Sequence, residues 1–360
     1  MQIIRTEKKE YSIKDSEILF DIETTGLSAQ SSYVYLIGMI KKVNNVPTLI
    51  QIFADNFTEE KELISLFLKE IPEGSTLISY NGLTFDIPYI NHKMRRYKIL
   101  HEINPDTTLD IYKEIRSKKK YFELESLKQT DVEIHAGFER TDTFTGGDLI
   151  DVYSEYVGIS RLYDITKRDD VKEKRDGLLH VLLLHNHDDL LGLYHILKRS
   201  GICYINDPTF DPVPELNEYE LSFTFEIPLY PVPFSVNNGL FYFENGRNSS
   251  VLALNPLNTT LKYFLEDYKN YTFVIDKGYA MHNSIVSGLE KSNLMKCKKN
   301  NAYILKSGLF VPVPKNCTEL FLENKIKLFK DDYASKQFYA ELSDLSPVIT
   351  EYAKELLVSL

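Results

Sequence analysis

The chain has 360 residues, of which 43% are apolar and 26% charged, enough to bury more than one core. Its net charge is −10, which argues against a protein that coats nucleic acid by bulk electrostatics but not against an enzyme that meets one strand end with bound cations. Three cysteines without a C-x-x-C pair point to a reducing, cytoplasmic setting. The absence of a signal-like start or a long apolar run predicts no membrane association.

In chain order, Glu17–Glu23 is predicted as a strand because Ile18, Phe20 and Ile22 are apolar at period two. Tyr33–Ile40 and Thr48–Phe53 are β-branched and aromatic, and Asn44, Asn45 and Pro47 mark the turn between them. Thr58 is expected to cap a helix running to Ile71. Leu77–Tyr80 is a further strand, ended by Asn81-Gly82, and a helix follows from about Asp86. Leu109–Arg116 and Leu124–Thr130 are expected as short helices, and Leu178–Lys198 as a long one. The predicted fold class is α/β, a mixed sheet flanked by helices over residues 1–203.

The Pro- and Asp-rich stretch that follows predicts a linker over 204–218. Residues 219–360 are expected to form a β-rich accessory domain. Its signals are the alternation of Leu221, Phe223, Phe225 and Ile227, the turns Asn238-Gly239 and Asn245-Gly246, and the strand-like Leu240–Phe243, Tyr271–Ile275 and Ala302–Val311. Ser346-Pro347 opens a final helix. Lys291, Lys296, Lys298 and Lys299 near Tyr303 make a basic patch, for which a charged packing loop weighs more than a strand-binding platform.

Three segments carry chemistry. Asp21 and Glu23 lie two apart on a strand, so both carboxylates leave the same face. Such pairs are common at acidic edges; a cation between them removes the mutual repulsion. Asp86 follows a strand and a Gly-containing turn, where it would ordinarily cap the helix. His185 and Asp189, four apart on the long helix, share a face amid Leu182, Leu183, Leu184, Leu190 and Leu191. A buried carboxylate there requires a partner or a metal.

Together these segments resemble the DEDD superfamily of 3′→5′ exonucleases, whose members share a ribonuclease-H-like fold. Asp21 and Glu23 match the first motif (D-x-E-T-T-G-L), Asp86 the second (N-G-x-x-F-D), and Asp189 the third-motif aspartate. The His185-Asn186-x-x-Asp189-Leu190 pattern is most similar to the YprB-type ribonuclease-H-like exonucleases, relatives of the family B polymerase proofreading domain. The resemblance covers roughly residues 15–200. One departure is that His185 stands where that branch has tyrosine, whereas the histidine-type branch would place its histidine at Leu184. Asp188 is the rival metal ligand and His187 the rival base, and the pairing of His185 with Asp189 is preferred.

The resemblance implies a metal-dependent 3′→5′ exonuclease, a phosphodiester hydrolase. Asp21, Glu23, Asp86 and Asp189 would hold two divalent ions, Mg²⁺ or Mn²⁺, about 3.5–4 Å apart. His185 would orient or deprotonate the attacking water, a task that a pKa of about 6.5 suits better than the roughly 10 of tyrosine. Thr24, Leu27, Asn81 and Phe85 would cradle the terminal nucleotide, although for Phe85 core packing is an equal alternative. Lys93, Arg95 and Arg96 would track phosphates or form a solvated helix face. The implied partner is the 3′ end of a single-stranded DNA or RNA, with DNA repair as the expected setting. The alternative is a weak or silent nucleic-acid-binding module that acts with a helicase or repair partner.

Overall fold

Strand β2 (Glu17–Thr24) sets the frame, because its neighbours differ in direction on its two sides. The computed structural model describes residues 1–207, 210–217 and 220–360. To one side of β2 lie β3 (Val34–Val43), β4 (Val46–Phe53) and β1 (Gln2–Glu7), each antiparallel to the strand beside it. To the other lie β5 (Thr76–Ser79) and β6 (Thr108–Asp110), both parallel. The result is the expected mixed sheet, in the order β1-β4-β3-β2-β5-β6. Asn44 and Asn45, both at positive φ (51° and 66°), make a two-residue turn that matches the strand twist. Pro47, expected in that turn, instead pairs with Lys42 inside β4.

Helices cover both faces of this sheet. On one, α1 (Glu60–Lys69) and α2 (Asp86–Arg96) bury Leu63, Ile64, Phe67, Ile87, Ile90 and Met94 against Ile18, Phe20 and Ile22. Thr58 does not cap α1: it lies within a 3₁₀ turn, Phe57–Glu59, that leads into the helix and is itself capped by Asn56, whose side chain accepts the Thr58 N–H at 3.0 Å. The expected helix at Leu109 starts later, as α3 (Ile111–Arg116), because Thr108–Asp110 are taken up as the edge strand. The next, expected at Leu124–Thr130, is α4 (Gln129–His135).

On the opposite face lie α5 (Gly146–Thr166) and α6 (Asp169–Lys198). Helix α5, absent from the sequence expectations, opens with a Thr145/Asp148 capping box and buries Leu149, Tyr153 and Tyr156 on Tyr35 and Phe53. Helix α6 begins well before Leu178, since its first turns are charged and show no apolar period. It crosses β2 and β3. Gly38 on β3 permits the approach: a Cβ there would fall 2.0 Å from Asn186 Oδ1 and 2.6 Å from Leu190 Cδ1.

Residues 1–204 and 229–233 form one compact unit; residues 205–228 and 234–360 form a second. The second is antiparallel and β-rich. It holds a five-stranded sheet that includes Leu221–Phe225 and Ser250–Leu254, and two three-stranded sheets, one built on Tyr303–Val313. Within the linker expected at 204–218, Val213–Leu216 is an edge strand paired with Leu221–Phe225. Pro208, Thr209 and Glu218 of that linker, and Tyr219 at the expected domain start, lie outside the described residues. The last helix, Ile349–Val358, follows a 3₁₀ turn at Ser346–Val348.

Candidate metal and catalytic site

Alternation along β2 separates its side chains cleanly. Ile18, Phe20 and Ile22 enter the core beneath α1 and α2, so Asp21 and Glu23 leave the opposite face, beneath α6. Asp86 is the first residue of α2, preceded by a turn in which Asn81 is left-handed (φ 65°). Asp110 fixes that turn by accepting the N–H groups of Asn81 (2.8 Å) and Leu83 (3.1 Å). Asp86 is not the helix cap; its carboxylate is turned back to the backbone N–H of Ile22, which ties the second motif to the first.

Helix α6 supplies the rest from one face. His185 Nε2 lies 3.4 Å from Asp189 Oδ2 and 3.9 Å from Glu23 Oε1, and Asn186 Nδ2 donates to Asp21 Oδ2 at 2.9 Å. Burial is the largest influence on these acids. It pushes Asp21 and Glu23 well above the usual carboxylate range, and repulsion from Asp189 and Asp86 adds to it in both. Burial likewise raises Asp86 to about 7, against two backbone hydrogen bonds that lower it.

The donor set fits a cation. Glu23 is 7% exposed, yet its Oε1 has no hydrogen-bond partner among the described residues. A carboxylate oxygen of Glu23, a ring nitrogen of His185 and an oxygen of Asp189 lie within 4.8 Å of one another. Two donors each about 2.0–2.2 Å from one ion stand roughly 3–4 Å apart, which matches these separations.

Several neighbours were not anticipated from sequence. Asp142 Oδ2 lies 2.5 Å from His185 Nδ1, and Arg140 Nη2 donates to Asp189 Oδ1 at 2.6 Å while also gripping the buried Glu133. These partners are 43 and 49 residues apart in sequence and sit on a loop with no periodicity, so spacing could not reveal them. Asp188, the rival ligand, is engaged elsewhere. It accepts from the N–H of Thr141 (2.8 Å), the Thr141 hydroxyl (3.0 Å) and the N–H of Asp142 (2.8 Å). His187, the rival base, contacts Lys8 Nζ at 3.0 Å and Asp188 Oδ1 at 2.9 Å.

The expected nucleotide cradle is uneven. Leu27 is 88% exposed and free to meet a base, whereas the half-buried Phe85 packs on the core, 5.4 Å between ring centroids from Tyr89. Thr24 donates its hydroxyl to the Gly26 carbonyl at 3.0 Å, and Asn81 is half-buried in its turn. The phosphate-tracking role fails for Lys93. It is fully buried, 3.0 Å from Glu60 Oε1, because the helix face it occupies points into the core rather than to solvent. Arg95 pairs with Glu102 (3.0 Å), and Arg96 donates to the Gln30 carbonyl (3.1 Å). In the second unit, Lys296, Lys298 and Lys299 line a cavity of about 670 Å³ with Tyr268, Lys269, Tyr271 and Cys297; Lys291 and Tyr303 are not among its walls. Cys203, Cys297 and Cys317 are all free thiols, and among the described residues no helix is long and apolar enough to cross a membrane.

Comparison with known proteins places this frame. The chain is 25% identical over 235 residues to the PolC-type DNA polymerase III of Caldanaerobacter subterraneus subsp. tengcongensis, covering 56% of this chain and 17% of that one. Among solved structures it is similar to the family B DNA polymerase of Pyrobaculum calidifontis (TM-score 0.37, 11% identity, 94% of this chain and 55% of that one). It is also similar to Escherichia coli exonuclease I in complex with a dA16 oligonucleotide (TM-score 0.27, 13% identity, 60% of this chain and 56% of that one). The chain thus spans about a sixth of the length of the polymerase III and little more than half of the two solved chains. Residues 18–200 match the RNase_H_2 family model, and on that match the chain belongs to the RNase_H superfamily.

Proposed function

We propose that the first unit is a metal-dependent 3′→5′ exonuclease acting on the 3′ end of single-stranded nucleic acid. One observation carries this: three segments remote in sequence bring Asp21, Glu23, Asp86 and Asp189 together with their charges mutually unfavourable, and Glu23 Oε1 has no hydrogen-bond partner among the described residues. A fold gains nothing from such a cluster unless a cation enters it. Divalent ions of the Mg²⁺ or Mn²⁺ class, when bound there, supply Lewis acidity to the scissile phosphoryl group and ready a water for attack.

The chain's own residues do the positioning. Asp21 is oriented by Asn186, Asp189 by Arg140, and Asp86 by the Ile22 N–H. Leu27, Thr24, Asn81 and Phe85 flank the same strand ends and would border the terminal nucleotide, with Leu27 as the exposed apolar wedge. Hydrolysis adds water across the bond between phosphorus and the 3′ oxygen, releasing a nucleoside monophosphate and leaving a new 3′ hydroxyl. Three free thiols fit a cytoplasmic setting, in which a helicase or repair partner would expose the strand end. The second unit is proposed to be accessory.

An end-labelled single strand incubated with Mg²⁺ or Mn²⁺ tests this. Progressive shortening from the 3′ end is expected, abolished by chelator and by Asp21→Asn or Asp189→Asn. Strand binding without shortening, indifferent to Asp21→Asn, would replace the exonuclease by a binding module. Intact DNA and RNA strands with no binding would overturn both.

A further inference from the structure

We propose that His185 binds a metal ion through Nε2, so that Glu23, His185 and Asp189 form a mixed nitrogen–oxygen site selective for a first-row transition ion over Mg²⁺. This rests on the carboxylate cluster being the metal centre, as proposed above, and changes the nature of that centre. An all-carboxylate site suits the hard ion Mg²⁺, whereas an imidazole nitrogen favours softer divalent ions.

The geometry is that of a ligand held ready. Nε2 stands 3.4 Å from Asp189 Oδ2 and 3.9 Å from Glu23 Oε1, the separations expected of donors around one ion. Glu23 Oε1 is buried and has no hydrogen-bond partner among the described residues. The other ring nitrogen is committed, because Asp142 Oδ2 lies 2.5 Å from Nδ1. A carboxylate on Nδ1 keeps the proton there and leaves the Nε2 lone pair directed into the site.

Asp142 is itself held firmly. Its N–H donates to Asp188 Oδ2, as does that of Thr141. Asp188 Oδ2 also accepts the Thr141 hydroxyl at 3.0 Å, so three donors of the loop converge on one carboxylate oxygen. Arg140, Thr141 and Asp142 in succession thus grip Asp189, Asp188 and His185 on one side of α6. Asp142 is a positioning residue. On this assignment the lone pair expected to take a proton from water is given to the cation, and the base role falls away.

The test loads the full chain with Mn²⁺ and records pulsed electron paramagnetic resonance. Coupling to an imidazole ¹⁴N is expected in the unaltered protein and should vanish in His185→Gln. Asp142→Asn should weaken Mn²⁺ binding about 10–100-fold. The preference for Mn²⁺ over Mg²⁺ should fall at least about tenfold in His185→Gln. Bound Mn²⁺ without nitrogen coupling in the unaltered protein, or no Mn²⁺ binding, overturns the assignment whether or not the variants fold. The same preparation is assayed for strand shortening. Shortening without nitrogen coupling removes His185 as a ligand and leaves the exonuclease standing; coupling without shortening does the reverse.

Discussion

Arg140 Nη2 lies 2.6 Å from Asp189 Oδ1, and the same guanidinium grips Glu133, which is 1% exposed. One cation therefore serves two carboxylates, one buried for structure and one turned into the candidate site. Gly192 makes room for Glu133, since a Cβ there would fall 2.1 Å from Glu133 Oε2. Removing the guanidinium leaves a buried carboxylate unpaired. Arg140→Ala is expected to lower stability by about 3–5 kcal/mol in a denaturant melt. Arg140→Lys should recover part of that but not the planar two-sided grip. Wild-type stability in Arg140→Ala would show that Glu133 finds water instead.

Gly38 decides how closely α6 approaches the sheet. Its backbone is not left-handed, so alanine is tolerated conformationally and the only penalty is steric. With Asn186 Oδ1 2.0 Å from the new Cβ, either the helix lifts or Asn186 leaves Asp21. Gly38→Ala should cost about 1–3 kcal/mol in an unfolding measurement. It should also weaken divalent-ion binding, measured by calorimetry, whereas alanine at the open, helix-interior Gly158 of α5 should leave ion binding unchanged and raise stability by about 0.5–1 kcal/mol.

The acidic cluster makes a specific demand on pH. Asp86 titrates at about 7 in the folded chain against an ordinary 3.8, so between those values the folded state holds a proton that the unfolded state has lost. Stability is then full below pH 4 as far as this group is concerned, and falls as pH rises towards 7; Asp21 and Glu23, also raised, act in the same direction. In chelator, the melting temperature should be several degrees lower at pH 8 than at pH 5, roughly 2–4 °C for each kcal/mol. Asp86→Asn should reduce that slope. Mn²⁺ or Mg²⁺ at pH 8 should restore the loss by binding only the folded state. A melting temperature that climbs from pH 5 to pH 8 in chelator would contradict the raised carboxylates.

Much of this was legible in the sequence for stated reasons. Period-two alternation at Ile18, Phe20 and Ile22 fixed which way Asp21 and Glu23 would face, and the four-residue spacing of His185 and Asp189 put both on one side of a helix. Asn44-Asn45 located the β3–β4 turn. Edges were harder to locate. Thr108–Asp110 became a strand only because β5 offers a parallel ladder, and α5 shows no sharp apolar stripe because its Gly- and Ser-containing turns interrupt it. The loop residues Arg140 and Asp142 were invisible, since nothing local announces a contact made by a loop to a helix more than forty residues away.

Lys93 shows how a motif-adjacent basic residue misleads. On a helix, Lys93, Arg95 and Arg96 look like a track for phosphates, but Lys93 faces the core, paired with Glu60, whose two oxygens also accept the Val34 N–H and the Tyr97 hydroxyl. Truncating it leaves a carboxylate that is 1% exposed without its counter-charge, held only by those two neutral donors. Lys93→Ala is expected to destabilise by about 3–5 kcal/mol. Under conditions where the variant is still folded, strand affinity and its dependence on salt should match the unaltered protein. The double variant Lys93→Met with Glu60→Leu, which removes both charges, should regain much of the lost stability, less the cost of the two freed donors on Val34 and Tyr97. A reduced salt slope in Lys93→Ala, read from binding at two ionic strengths, would return this lysine to the strand path.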